Sequence, residues 1–473
     1  MRRVLLVIVA ATSAGLVLVA RLPRTRRLLS RYLTLGGAAG RTAGRRVARG
    51  VHGIGADEDT RRALDAEFQL RSAEDVARTL GSMKGAFMKV GQLASFVDDG
   101  LPEPVRAALA QLQDNAPPMR PALVDRVVRD ELGAPPSDVF RQWDPVPVAA
   151  ASIGQVHRAV LDDGTAVAVK VQYPGIRELV EADLAQLDLG RFVMPVVYPQ
   201  MDVRSVTTEL RDRLTEELDY GIEAANQRDF ARWYNGHPFI HVPAVVDELS
   251  TRRVLTTAFA DGSRFAAIEQ RPQPERDHAG EAIFRFVLRS INDHLAFNGD
   301  PHPGNYLFSP GRVTFVDFGL VKRLSPQSRD DTIASVVLAT LEPDPKALAA
   351  LCERMGYFTP GNPLPPQLIL DFSALLWGHT AADSLFTITP AWSGDVVRTF
   401  LIKGDRFREL DRYGGLPVDS IILQRITVGL LAVLGRLNAT ANWHRITREL
   451  WMGDAPATAM GEAEARWLAS KVA

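Results

Sequence analysis

The pattern of apolar and polar positions predicts a helical N-terminal region, a central region rich in strands and a helical C-terminal region. In residues 76–97 apolar side chains recur at the spacing of a helix, and the stretch ALVDRVVRDEL continues this pattern until a Gly-Ala-Pro-Pro break. From about Pro145 the pattern becomes that of strands. Two β-branched stretches flank an Asp-Asp-Gly turn, and the second of them is AVAVKVQ.

Helical patterns dominate the remainder of the chain. Residues 205–234 predict a long helix, RRVLTTAFADG predicts a strand, and EAIFRFVLRSINDHLAF predicts another helix. Beyond Leu324 the pattern is helical again, with breaks at TPGNPLPP and RYGGLP. Within that region IILQRITVGLLAVLGRL contains Arg425, so we expect a helix packed in the protein core.

The N-terminal residues 4–20 are uncharged and mostly apolar, and arginine clusters flank them. As a helix they would span about 25 Å, compared with a bilayer hydrocarbon core of about 30 Å. They predict a single membrane anchor or an interfacial or packed helix, whereas VLVARLP is a poor signal-peptide cleavage site. We therefore expect the protein at the cytoplasmic face of a membrane, anchored or peripheral, with a cytoplasmic location as the alternative.

Composition limits the function further. The chain has 473 residues, a formal net charge of −1, 46% hydrophobic residues and 23% charged residues. This balance is typical of a globular protein with two or three packed units. Near-neutral charge argues against nucleic acid as a partner, because such binding needs a basic surface. With Cys352 as its only cysteine, the chain has neither a disulfide framework nor a cysteine-rich metal site.

A lysine and a run of small residues in the strand region suggest a phosphate site. Lys170 interrupts the apolar strand AVAVKVQ, and a lysine that is buried there needs an anionic partner. The alternative is an exposed lysine on an edge strand. Small side chains let backbone N–H groups approach a polyphosphate closely, as in glycine-rich loops. We assign this contact to a loop of small residues between two strands, which contains Ala149, Ala150, Ala151 and Ser152.

The stretch GDPHPGNYLFSPGRVTFVDFG carries the most specific chemistry. Asp300 precedes Asn305 by five residues, and Asp317 begins an Asp-Phe-Gly sequence, which is the spacing of a phosphoryl-transfer site. Asp300 would orient and deprotonate the attacking hydroxyl. Asn305 and Asp317 offer oxygen ligands to Mg²⁺. Upstream, the predicted helix at 205–234 carries further carboxylates, which are Glu217, Asp219 and Glu223; a solvated acidic face is their alternative role.

Over residues 75–350 the sequence resembles the UbiB/AarF-like atypical kinases, also called the coenzyme Q biosynthesis kinase-like family. The matching stretches are KVGQ at 89–92, AAASIGQVH, VAVK, ELD at 217–219, DPHPGN and DFG. The resemblance implies an α+β, protein-kinase-like fold of two lobes, with an N-terminal helical extension and a mostly helical C-terminal part. It also implies ATP and Mg²⁺ as ligands and a membrane lipid or isoprenoid-like ligand as a further partner.

The resemblance also assigns roles to individual residues. Lys170 would contact ATP and pair with Glu223. In the extension, Lys89 and Gln92 would lie over the active site, with Lys89 paired to Glu217 or Asp219.

Two positions depart from the family pattern. Asn298 and Gly299 replace the usual His-Ala before Asp300, which puts the bracing of the catalytic loop in question. Thr257 and Ala258 replace a common Met-Glu pair, where contacts to adenine are mostly made by the backbone.

These observations predict four segments and three competing functions. The segments are a basic and apolar segment at 1–50, a helical extension at 51–140, a small nucleotide-binding lobe at 141–262 and a helical lobe at 263–473. The favoured function is a membrane-associated atypical kinase or ATPase linked to isoprenoid-quinone or lipid metabolism. A nucleotide-binding pseudokinase with a regulatory or scaffold role is the alternative. A small-molecule phosphotransferase is a third, but such enzymes lack the K-x-G-Q and E-x-D motifs.

Overall fold

The computed structural model describes residues 119–151, 153–178, 215–216, 218–402, 404–414 and 418–472. All of them except Glu178 belong to one compact unit of the chain. The predictions for residues 4–20, Lys89, Gln92, Ser152 and Glu217 lie outside the described residues.

Strands and helices alternate irregularly along the described chain, which confirms the predicted α+β class. The strands are β1 (Gln142–Trp143), β2 (Ala149–Ala151), β3 (Gly154–Val160), β4 (Ala166–Gln172), β5 (Ile240–His241), β6 (Val254–Ala258), β7 (Ala296–Asn298), β8 (Tyr306–Ser309), β9 (Arg312–Phe315), β10 (Val321–Arg323), β11 (Phe386–Thr387) and β12 (Thr440–Ala441). The helices are α1 (Pro121–Leu132), α2 (Pro136–Val139), α3 (Tyr220–Trp233), α4 (Phe265–Ile268), α5 (Gln273–His294), α6 (Pro326–Val336), α7 (Pro345–Arg354), α8 (Pro366–Ser373), α9 (Pro390–Ile402), α10 (Gly404–Phe407), α11 (Leu410–Tyr413), α12 (Val418–Leu437), α13 (Trp443–Met452) and α14 (Ala459–Val472).

The first sheet is antiparallel and has the order β1-β3-β4-β6, with β2 also paired to β3. The predicted Asp-Asp-Gly turn joins β3 to β4, and Gly164 has the positive φ of 89° that favours glycine there. Because side chains alternate along a strand, Val167, Val169 and Val171 of β4 all face one side of the sheet. They are fully buried and pack with apolar residues of α1 in one core.

A larger core surrounds α5, whose residues from Ala279 to Leu288 are all buried. Two small sheets lie beside this helix: the β8–β9 hairpin with β5 parallel to β9, and the antiparallel pair β7–β10. Helix α12 contributes Leu430, Leu431 and Leu434 to the same core, which confirms the prediction of a packed helix for this apolar stretch. None of the described helices has the length and apolarity needed to cross a bilayer.

A buried ion-pair cluster ties α5 to the two C-terminal helices. The guanidinium of Arg285 is fully buried and bonds to Glu281 at 2.7 Å, to Glu449 of α13 at 2.7 Å and to Glu464 of α14 at 3.0 Å. Glu464 also accepts a hydrogen bond from Arg289 at 3.0 Å. The Glu464 carboxylate therefore bonds to two arginines of α5.

His237 completes the cluster, with its Nε2 3.1 Å from Glu464 Oε1. Burial lowers the pKa of His237 below its usual value, so the ring is neutral at pH 7 and its bond to Glu464 is between a neutral donor and a carboxylate. Burial alone would raise the pKa of Glu464, but His237, Arg289 and Arg285 hold it at about 2. The carboxylate thus stays ionised far below neutral pH.

We expect Glu464→Gln to lower the free energy of unfolding by about 3 kcal/mol at pH 7, because it leaves buried arginine charge less compensated. The folded-state pKa of Glu464 lies below its ordinary value of 4.5, so its contribution is complete above that pH and is lost as pH falls toward 2. The difference between the two proteins should therefore shrink across that range. Urea unfolding followed by tryptophan fluorescence measures it.

Glu462→Gln is the matched control, because Glu462 lies on the same helix, is 64% exposed and is 3.9 Å from Arg466. An exposed pair of this kind contributes about 0.5 kcal/mol or less. Equal losses for the two variants would contradict the stabilising role of the cluster.

Candidate functional site

Lys170 lies on the face of β4 opposite the three buried valines. In register it lies between Val156 of β3 and Leu255 of β6, so its strand is internal to the sheet rather than at an edge. The alternative of an exposed lysine on an edge strand is wrong, because only 15% of the Lys170 side chain is exposed.

Two carboxylates surround the Lys170 ammonium. Its Nζ donates to both carboxylate oxygens of Glu223, at 2.9 and 2.8 Å, and lies 3.7 Å from Asp317 Oδ2. Glu223 is 4% exposed and Asp317 is 27% exposed, so one partner is buried and the other faces the solvent side of the site. The structure thus brings together three of the residues singled out in the sequence.

These neighbours keep Lys170 in its protonated, positively charged form. Burial by itself would lower the pKa of Lys170, but Asp317 and Glu223 raise it well above its usual value. The ammonium also lies 5.0 Å from the ring centre of Tyr220, a favourable cation–π contact. The lysine therefore remains a cation at physiological pH, which a phosphate ligand requires.

Helix α3 begins at Tyr220, and the predicted long helix is interrupted just before it: Thr215 and Glu216 are helical, whereas Leu218 and Asp219 are not. Asp219 is the N-cap of α3 rather than part of it, and its side chain accepts the Gly221 N–H at 2.9 Å. Asp219 also pairs with Arg252 at 3.2 Å. The cap places Glu223 in the first turn of α3, where it faces the sheet.

The alanine run is itself a strand. Ala149–Ala151 forms β2 and pairs with β3, whereas the sequence suggested a loop between two strands. Gly154 begins β3 and allows close packing, because an added Cβ would lie 2.2 Å from the Val171 carbonyl oxygen. The small residues therefore build a tight hairpin beside the strand that carries Lys170.

Asn305 and Asp317 lie at the same end of the β8–β9 hairpin. Asn305 directly precedes β8, and Asp317 follows the end of β9 with one residue, Val316, between them. The Val316 N–H donates to the Asn305 carbonyl at 3.1 Å. The antiparallel register therefore brings the amide and the carboxylate close together, although twelve residues separate them in sequence.

Asp300 is held against Asn305. The Nδ2 group of Asn305 donates to the Asp300 carbonyl at 2.9 Å and to its carboxylate Oδ2 at 3.2 Å. Both donor bonds of the amide go to Asp300, which leaves the Oδ1 atom of Asn305 as an acceptor for another group.

Asn298 bridges the loop that carries Asp300 and the segment that carries Asp317. Its Nδ2 donates to the Asp317 carbonyl, and its Oδ1 accepts the Asp300 N–H at 3.1 Å. The Gly299 N–H adds a bond to the Leu320 carbonyl at 2.6 Å, and Leu320 leaves no room for a Cβ at Gly299. Asparagine therefore braces the loop at the position where the resemblance expects histidine.

Helix α3 also fixes the Asp-Phe-Gly segment, a contact that sequence reasoning missed. Asn226 donates to the Phe318 carbonyl at 3.1 Å, and the fully buried Phe318 ring lies 4.8 Å from the ring of Phe230. Asn226 lies one turn after Glu223, so helical periodicity places both side chains on the same face of α3. This periodicity was the sequence signal for the contact.

The site offers a magnesium ion a small set of oxygen ligands. The described part of the chain contains no group of three or more histidine, cysteine, aspartate or glutamate side chains suited to a metal. Mg²⁺ commonly binds through one or two carboxylates together with substrate phosphates and water. Asp317 and the available Oδ1 of Asn305 therefore suit a magnesium ion that is bound together with a nucleotide.

The comparisons with known proteins agree on one family, that of the ABC1 atypical kinases. The family model described as the ABC1 atypical kinase-like domain matches residues 111–352. The chain is 34% identical over 288 residues to the Arabidopsis thaliana protein named ACTIVITY OF BC1 COMPLEX KINASE 8, chloroplastic, covering 59% of this chain and 38% of that protein. It is 35% identical over 272 residues to atypical kinase COQ8B, mitochondrial, of Rattus norvegicus, covering 57% and 51% respectively.

One solved structure is similar to this chain along nearly the whole length of the solved protein. It is the Mycobacterium tuberculosis protein Rv3197 in complex with erythromycin, with 31% identity, a TM-score of 0.61, and coverage of 82% of this chain and 98% of that one. By contrast, the chain spans about half the length of the curated relatives or less.

The bridge made by Asn298 generates a prediction. We expect Asn298→Ala to lower the free energy of unfolding by about 2 kcal/mol, because it removes the hydrogen bonds to the Asp317 carbonyl and from the Asp300 N–H. Amide hydrogen exchange at Asp300 should accelerate in the same variant. Asn292→Ala is the control, since the Asn292 side chain makes an exposed bond to its neighbour Asp293. Unchanged exchange at Asp300 would show that Asn298 does not brace the loop.

Proposed function

The chain belongs to the ABC1 atypical kinase-like family, the UbiB family, and from this premise we propose that it is an ATP- and Mg²⁺-dependent atypical kinase or ATPase. We further propose that it works at a membrane, in a process linked to isoprenoid-quinone or lipid metabolism. Because the chain spans only part of its curated relatives, activity and partners are argued from its own residues.

One observation carries the proposal. The Lys170 ammonium lies within 4 Å of both Glu223 and Asp317, at the end of the hairpin where Asn305 also lies. A fixed cation beside two metal-suited oxygen groups matches the charge distribution of a metal-bound polyphosphate. An edge lysine or a solvated acidic face accounts for none of these distances.

Each side chain has a distinct role in the proposed reaction. Lys170 contacts the α- and β-phosphates, and Glu223 holds the ammonium in position through two hydrogen bonds. Asp300 accepts the proton of the attacking hydroxyl or orients a water molecule, and Asn305 fixes its carboxylate. Asn305 Oδ1 and Asp317 hold Mg²⁺, which when bound supplies charge neutralisation for the transferred phosphoryl group.

The backbone around Ala149, Ala150, Ala151 and Ser152 would contact the phosphates. The tight β2–β3 hairpin supports this role because it presents small side chains beside the strand of Lys170. Thr257 and Ala258 of β6 would approach the adenine ring. The Ala258 N–H already donates to the Ala244 carbonyl at 2.8 Å, so this contact would involve other backbone groups.

The N-terminal extension and the membrane contact remain part of the proposal. Lys89, Gln92 and Glu217 would form a cover over the site. Asp219 already caps α3 and pairs with Arg252, so Glu217 is the better candidate partner for Lys89. Residues 4–20 and the arginines around them would supply the attachment to the membrane, and a membrane lipid or isoprenoid-like compound would be the further ligand.

A nucleotide-binding pseudokinase is the second candidate. The replacement of histidine by Asn298 and the alanine-rich hairpin favour it, since both depart from the pattern of active phosphotransferases. The hydrogen bonds that Asn298 makes to both segments of the site favour retained activity. Turnover of ATP, with and without liposomes, separates the two.

We expect Lys170→Met to weaken Mg·ATP binding by about 30-fold, because a charge-assisted contact to the phosphates is lost. Isothermal titration calorimetry measures the effect. Lys346→Met is the control, because Lys346 is exposed on α7, away from the site in sequence and fold. Equal affinities of the Lys170 variant and the wild type would contradict the nucleotide assignment.

We expect Asp317→Asn to reduce ATP turnover by about 100-fold while nucleotide binding without Mg²⁺ persists, because an amide is a weaker ligand for the metal. Asp330→Asn, at a position that is 61% exposed, should leave turnover unchanged. Turnover retained in the Asp317 variant would contradict the metal assignment. Absence of turnover in the wild type with every lipid tested would favour the pseudokinase.

We expect removal of residues 1–50 to reduce co-sedimentation with anionic liposomes, because this segment contains the apolar stretch and most of the neighbouring arginines. We also expect liposomes to stimulate ATP turnover by the full chain, and this stimulation should fall in the truncated chain. The control is co-sedimentation with neutral liposomes at the same lipid concentration. If the truncated chain binds anionic liposomes as well as the full chain does, the membrane contact lies elsewhere.

A further inference from the structure

A cavity of about 320 Å³ lies at the turn of the β8–β9 hairpin, beside α4 and the first turns of α5. Its volume is within the range of pockets that hold small molecules. Its lining includes two apolar side chains and four polar ones, which are Ile268, Phe308, Arg271, Glu275, His278 and Arg312. Phe308, the nearest cavity residue on β8, lies three strand residues, or about 10 Å, from Asn305.

The walls of this cavity are largely apolar. Ile268 and Phe308 belong to the buried core and line the cavity. Phe308 is held in place by two backbone bonds with Ser263, at 2.7 and 2.9 Å. The cavity therefore has a preformed apolar wall, which favours a ligand with a compact apolar body.

Its polar groups leave one cation uncompensated. Arg271 pairs with Glu275 at 3.5 Å, so their charges offset each other. Arg312 is exposed, and among the described residues no carboxylate pairs with it.

His278 supplies an unsatisfied polar atom in the cavity wall. Its Nε2 is buried and has no hydrogen-bond partner among the described residues. Buried polar atoms of this kind are normally satisfied by protein, water or ligand. A ligand atom in the cavity that accepts a hydrogen bond would satisfy Nε2 in the tautomer in which this nitrogen carries the proton.

We propose that this cavity is a second ligand site, which binds a small organic anion with an apolar body through Arg312, His278 and the wall formed by Ile268 and Phe308. A carboxylate or a phosphate ester has the required charge. The site is separate from the proposed nucleotide site, and its existence does not depend on the proposed function.

The test compares two probes of the same shape, 2-naphthoate and its neutral isostere 2-naphthamide. Binding to the full chain is measured by isothermal titration calorimetry without nucleotide. We expect naphthoate to bind about 10-fold more tightly than naphthamide, because only the anion pairs with Arg312. In Arg312→Gln the naphthoate affinity should fall by about 10-fold, whereas the naphthamide affinity should not change.

Arg466→Gln serves as the matched control, because Arg466 is an exposed arginine of α14 that is not among the cavity residues. Its naphthoate affinity should equal that of the wild type, and thermal unfolding should show that both variants are folded. Absence of naphthoate binding, equal affinity for both probes, or equal losses in the two arginine variants would overturn the proposal.

Discussion

The ion pair between Lys170 and Glu223 is the constraint on which the rest of the site depends. Both side chains are largely buried, and either charge alone would be strongly unfavourable at that depth. Together they fix α3 against the first sheet, because Glu223 can reach Nζ only if its helix lies at one rotation and height. The cap at Asp219 and the adjacent Tyr220 ring determine where that helix begins.

From this pair, short contacts extend to the other groups of the site. Helix α3 holds the Asp-Phe-Gly segment through Asn226 and Phe230. That segment is joined by Asn298 to the loop that carries Asp300. Each contact orders the next, so the groups that would act on a phosphate are positioned before a ligand arrives. Such preorganisation is the main requirement of phosphoryl transfer, in which the protein contributes chiefly position and charge.

Much of this arrangement could be predicted from local sequence patterns. The period of two in AVAVKVQ indicates that Lys170 faces away from the valines. The spacing from Asp300 to Asp317 singles out residues that the structure brings together, although the β8–β9 hairpin between them was not predicted. The packed helix at α12 followed from its apolar pattern and from Arg425. These features depend on residues close together in sequence, where periodicity and turn chemistry carry the information.

Contacts between distant segments could not be predicted in the same way. Arg285 bonds to Glu449 and Glu464, which are 164 and 179 residues away, and no local pattern relates these positions. The break before α3 was not predicted, because a carboxylate within a helical pattern can equally be a cap or a surface residue. Asp219 acts as the cap, and its ion pair with Arg252 is a contact between segments that the local pattern does not indicate. The alanine run was interpreted as a loop because its small residues resemble those of glycine-rich phosphate loops, whereas pairing with β3 makes it a strand.

The most direct test of the central claim is a crystal structure of the full chain with Mn²⁺ and a non-hydrolysable ATP analogue. The account predicts an anomalous peak for the metal within bonding distance of Asn305 and Asp317, with Lys170 still paired to Glu223 and in contact with a phosphate. A nucleotide bound elsewhere, or a metal held without Asp317, would contradict it.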